Sequence, residues 1–84
     1  MSIRLLFFAA AREAAGRARD EVECEEGATL GALLTQMRTR YGADFAAVLG
    51  TARVWIDGDE PPAGDATELR EGCEVAVLPP VSGG

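Results

Sequence analysis

One long segment, Thr29 to Tyr41, repeats its apolar residues with the period of an α-helix: Leu30, Leu33, Leu34, Met37 and Tyr41 fall at i, i+3, i+4, i+7 and i+11. Thr29 suits the N-cap, Arg38 and Arg40 complement the dipole in the last turn, and Gly42 stands where a C-terminal cap would. A helix over 29–41 follows, with one apolar stripe that has to be covered. The chain has 84 residues, too few for a second core. Whatever strands it forms must therefore pack on this helix.

Four segments read as those strands. Ile3 to Phe8 is apolar on both faces, as a central strand is, with Ile3, Leu5 and Phe7 on one side and Arg4, Leu6 and Phe8 on the other. Arg19 to Glu25 alternates Val22 and Cys24 with Glu21, Glu23 and Glu25, the pattern of a strand with one solvated face near an edge. Thr51 to Asp57 places Val54 and Ile56 opposite Arg53 and Trp55 and stops at Asp57-Gly58-Asp59, a turn signal. Cys73 to Leu78 alternates Val75 and Val77 with Glu74, Ala76 and Leu78. Between them, Ala10 to Ala15 predicts a single helical turn closed by Gly16, Asp44 to Leu49 a short second helix, and Ala66 to Arg70 one tight turn. Strand, strand, helix, strand, strand defines a two-layer α+β domain in which a mixed sheet wraps one main helix, a β-grasp arrangement over residues 1–78 with an extended tail at 79–84.

Composition removes most self-contained chemistry. There is no His, Lys or Asn, so no imidazole base, no Ser-His or Cys-His pair, no Schiff-base lysine and no His-ligated metal. Eight basic residues, all Arg, face fourteen acids, and the net charge of −6 disfavours nucleic acid and anionic lipid as partners. The longest apolar run, Leu5 to Ala11, is far short of the roughly 20 residues of a membrane span, and a cytoplasmic protein is expected. Cys24 and Cys73 sit beside Glu residues that oppose thiolate formation, and their spacing is not that of a metal site. Free, inert thiols are the expectation.

The feature with chemical content is the ending, Pro79-Pro80-Val81-Ser82-Gly83-Gly84. Two prolines lack the N–H that a ladder needs, so the last strand stops and the chain leaves extended. Six residues at ~3.3 Å each reach roughly 20 Å, enough to enter a cleft in another protein. Without Cβ atoms, Gly83 and Gly84 can pass a narrow channel. The α-carboxylate at Gly84 is ionised at neutral pH and a poor electrophile, so acyl chemistry there requires activation.

Arg4-Leu5-Leu6-Phe7-Phe8-Ala9, Ala11-Arg12-Glu13 with Gly16, and Leu69-Arg70-Glu71-Gly72 leading through Glu74-Val75-Ala76-Val77 to the Pro-Pro-Val-Ser-Gly-Gly end resemble the ubiquitin-like sulfur carriers, most closely the small subunit of molybdopterin synthase, the MoaD family. Cys73 stands where that family usually has an acid, and the loop Gly58 to Ala66 is longer than usual. The resemblance implies that Gly84 is adenylated with ATP by an E1-like enzyme, converted to a thiocarboxylate by a sulfur donor protein, and threaded into a large subunit to give sulfur to cyclic pyranopterin monophosphate. It implies a heterotetramer of two small and two large subunits, and no cofactor or metal bound by this chain. Carriers of the same fold serving thiazole, cysteine or tRNA thiolation share the tail, and a plain β-grasp interaction module is the alternative of a different class. Period-two alternation turns Leu6, Phe8, Trp55, Ala76 and Leu78 away from the helix. These side chains are expected to form the partner-binding patch, continued by Pro79, Pro80, Val81 and Ser82.

Overall fold

The computed structural model describes residues 1–80. Four strands, β1 (Ser2–Phe7), β2 (Arg19–Glu23), β3 (Arg53–Ile56) and β4 (Glu74–Leu78), form one mixed sheet in the order β2-β1-β4-β3. β1 pairs antiparallel with β2 and parallel with β4, and β3 pairs antiparallel with β4. The helices are α1 (Ala9–Ala15), α2 (Leu30–Tyr41) and α3 (Ala43–Leu49), with a single 3-10 turn at Gly64–Ala66. No helix among the described residues is long and apolar enough to cross a membrane.

The helical stripe works as its spacing predicts. The Thr29 hydroxyl accepts from the Ala32 N–H at 3.2 Å, and Leu30, Leu33, Leu34 and Met37 are buried. They close on the inward residues of the sheet, Ile3, Leu5, Phe7, Val22, Val75 and Val77. Val54 and Ile56 also face inward but are only half-buried, packed against the core from the edge strand β3. Phe7, Tyr41 and Phe45 meet with ring centroids 5.0 to 5.6 Å apart, joining β1, α2 and α3 at one corner. Such pairs are worth about 0.5–1.5 kcal/mol each beyond the area they bury.

Several boundaries differ from the sequence reading. Ala10 to Ala15 is not one turn but a seven-residue helix, Ala9–Ala15, which packs against α3 and buries Ala11. Isolated helices of that length do not persist, so tertiary contact supplies what propensity lacks. Phe8 is not the last residue of β1 but the N-cap of α1. β2 ends at Glu23, leaving Cys24 half-buried, and β3 begins only at Arg53, because Thr51 and Ala52 bond back to α3. The tight turn lies at Gly64–Ala66 instead of 66–70, and Glu68 bridges to Thr29.

The inward face of β2 ends in a charge. Asp20, its side chain 13% exposed, accepts from the Tyr41 hydroxyl at 2.6 Å and from Arg40 and Arg17 at 3.2 Å each. Its second oxygen accepts from the Glu21 N–H at 2.8 Å. The Tyr41 hydrogen bond, more than the two guanidinium charges, holds the Asp20 carboxyl below its usual value of 3.8, against the opposing effect of burial. Burial and the same hydrogen bond push the Tyr41 phenol up. This bond fastens the end of α2 to the sheet edge.

Asp20→Asn keeps an acceptor but loses the charge, and is expected to cost about 1–2 kcal/mol at pH 7, discounted for the solvent that reaches the two arginines. Because the folded carboxyl titrates below the unfolded one, its contribution is complete above pH 3.8 and disappears as pH falls through the depressed folded value. Urea titrations of both proteins should therefore differ at pH 7 and converge in acid. A constant difference across that range would assign the cost to something other than ionisation.

Candidate functional site

Parallel pairing of β1 with β4 sends both strands out of the sheet at the same end. There Phe8, Leu78, Pro79 and Pro80 come together. The Phe8 N–H donates to the Val77 carbonyl at 3.1 Å, continuing the ladder one residue past β1. Leu78 is half-buried, Pro79 and Pro80 are exposed, and Phe8 at 43% is the exposed large hydrophobic residue. These four, with Ala9 to Ala11 of α1 and Val48, Thr51 and Ala52, line an apolar cleft of about 130 Å³ at the root of the tail. Val81, Ser82, Gly83 and Gly84 lie outside the described residues.

The sheet face turned away from the helices carries the other expected contacts. The register puts Leu6 opposite Ala76 and Ala76 opposite Trp55, one row across three strands, and Leu78 beside Arg53 in the next row toward the tail. Period-two alternation thus brings the expected residues onto one face. Leu6, Trp55, Ala76 and Leu78 are half-buried, not fully exposed. Arg53 is tied to Glu60 at 3.0 Å, and a shallow hollow of about 360 Å³ on the β2 side is lined by Arg4, Leu6, Arg19, Glu21 and Glu74. An apolar row bordered by both signs of charge suits a specific protein contact better than a polyanion. The Trp55 indole N–H is buried with no hydrogen-bond partner among the described residues.

No group of three His, Cys, Asp or Glu side chains among the described residues is placed to hold a metal ion. Both cysteines are free. β1 runs between the strand that precedes Cys24 and the strand that follows Cys73, and two inter-strand spacings of about 4.8 Å exceed disulfide reach. Burial pushes the Cys24 thiol up, against the pull of the nearby terminal ammonium, which donates to the Cys24 carbonyl at 2.6 Å.

Two features of the site had no place in the sequence reading. Asp20 shares the parity of Val22 and Cys24, and that inward spacing was the available signal for its contact with Tyr41. Ala9 takes a left-handed backbone, φ 51°, for which an alanine gives no local signal.

A mixed four-stranded sheet closed on one main helix, with the last strand parallel to the first, is the ubiquitin-like β-grasp fold. The chain belongs to the ThiS family, whose model matches residues 5–84. It is 34% identical over 84 residues to the molybdopterin synthase sulfur carrier subunit of Chlamydomonas reinhardtii, covering 100% of both chains. Among solved structures, a Pyrococcus furiosus protein described as molybdopterin converting factor subunit 1 superposes with a TM-score of 0.86 at 25% identity, over 96% of this chain and 99% of that one. Small archaeal modifier protein 1 of Haloferax volcanii superposes with a TM-score of 0.84 at 28% identity, over 100% of both.

The thiol environments yield a simple expectation. At pH 8, native protein should react with an aromatic disulfide reagent far more slowly than free cysteine does, and denaturant should release both thiols together. Rapid labelling of Cys24 in the native state would contradict the burial described.

Proposed function

We propose that this chain is the sulfur-carrier small subunit of molybdopterin synthase, with the Gly84 carboxylate as the group that carries sulfur. The observation that supports it best is the extent of the match: the family model runs through residue 84, and the alignment to the Chlamydomonas carrier spans both chains completely. The root of the tail agrees in its chemistry, since a core strand held parallel to β1 delivers Pro79 and Pro80 to solvent beside an apolar cleft.

The chemistry is the one that the likeness to the sulfur carriers implies. A carboxylate oxygen of Gly84 attacks the α-phosphate of ATP in an E1-like enzyme, pyrophosphate leaves, and an acyl adenylate results. Sulfide-level sulfur delivered by a sulfur donor protein attacks the acyl carbon, the bond to AMP breaks, AMP leaves, and a thiocarboxylate remains. The large subunit then takes the tail, and the thiocarboxylate sulfur is transferred to cyclic pyranopterin monophosphate. Basic groups and nucleotide sites sit on the partners, which accords with a chain that has no His or Lys. Leu6, Phe8, Trp55 and Leu78 supply the apolar contact, and Pro79 to Ser82 lead the tail inward.

Deleting Gly84 should abolish sulfur transfer in a reconstituted synthase while leaving the melting temperature nearly unchanged. Mass spectrometry of the intact chain, isolated from sulfur-replete cells, should show replacement of one oxygen by sulfur at the C-terminus. Reconstitution with large subunits and with the thiazole, cysteine and tRNA thiolation systems separates this carrier from others of the same fold, and transfer only in one of those would displace the reading. Phe8→Ala and Leu78→Ala are each expected to weaken calorimetric binding to the large subunit by ~1–3 kcal/mol. Unchanged affinity in both would remove this face from the interface.

A further inference from the structure

Among the described residues six glycines take a positive φ, and two residues of other types do so as well. One is Asp57, φ 51°, in the tight turn before Gly58, where aspartate is at home and its carboxylate accepts from the Glu74 N–H at 2.9 Å. The other is Ala9, also at φ 51°, which has no polar side chain to offset the crowding of its Cβ. Its neighbour Phe8 is pinned on both sides. The Phe8 N–H belongs to the sheet through Val77, and its carbonyl accepts from Ala11 at 3.1 Å as the first bond of α1. Strand and helix can both claim Phe8 only if the chain reverses within the next residue, and Ala9 makes that reversal. Glycine would make it at less strain but would leave the junction many more conformations.

We propose that Ala9 is a positioning residue, whose strained left-handed turn holds Phe8 beside Leu78 and Pro79 as a preorganised anchor for the partner that takes the tail. This rests on the reading of Phe8 as a partner contact. Strain kept at one methyl-bearing residue, next to the exposed aromatic ring and within the cleft at the tail root, is the pattern of a site set up before binding. Ala9 acts through Phe8.

The test is a double-mutant cycle on the full-length chain, read as calorimetric affinity for the molybdopterin synthase large subunit alongside thermal stability. Ala9→Gly should leave the melting temperature unchanged or raised, yet weaken binding about fivefold because ordering of the anchor is moved to the moment of binding. Ala9→Asn, whose side chain tolerates the left-handed region, should restore wild-type affinity. In a Phe8→Ala background, Ala9→Gly should have no further effect. Wild-type affinity for Ala9→Gly, failure of Ala9→Asn to rescue, or an undiminished loss in the Phe8→Ala background would each overturn the proposal. If Phe8→Ala itself binds as wild type, the docking reading falls and this inference with it, whereas a weakened Phe8→Ala beside an unaffected Ala9→Gly overturns this inference alone.

Discussion

The parallel ladder between β1 and β4 is the constraint on which the rest of the structure depends. It joins the first strand to the last across the middle of the sheet, so no part of the core is complete until nearly the whole chain is in place. Parallel neighbours cannot be joined by a tight turn, and the connection between them here is the entire body of the domain. Its benefit is directional. Because both strands leave at one end, the chain's exit lies beside the β1–α1 junction, and one surface can present the tail root, Phe8 and the outer sheet face together.

The sheet's edges show a second economy. β2 and β3 are open on one side, a liability in a small protein whose partners must be chosen and not found by strand addition. On β2 the outward Glu21 N–H is taken by the Asp20 carboxylate, and the Glu23 carbonyl accepts from the Gln36 amide at 3.2 Å. On β3, Ile56 exchanges both of its outward bonds with Asp59, at 2.8 and 3.1 Å. Asp20 thus serves two purposes, pinning α2 through Tyr41 while closing the edge beside it.

Much of this was legible in the sequence, for identifiable reasons. The Leu30–Met37 stripe and the alternation of Val75 and Val77 are long or strict enough to define burial unaided, and the fold class followed from their order. What escaped depended on contacts between distant residues. α1 reads as a single turn because its helicity is supplied by α3, and Asp20 reads as one acid among several because Tyr41 lies twenty-one residues away. Ala9 could not be read at all, since its conformation is imposed by two elements competing for Phe8. The end of β4 at Leu78 was legible too, because Pro79 and Pro80 restrict the backbone themselves and need no tertiary partner.

The same ladder decides how the domain responds to being pulled. A force drawing the tail away while the start of β1 is held acts along the two strands, not across them, and loads the β1–β4 hydrogen bonds together instead of one after another. Shear of that kind must break several bonds in a single event, and forced unfolding is governed by that barrier. Tension on Pro79 and Pro80 is therefore met by the strongest axis of the molecule.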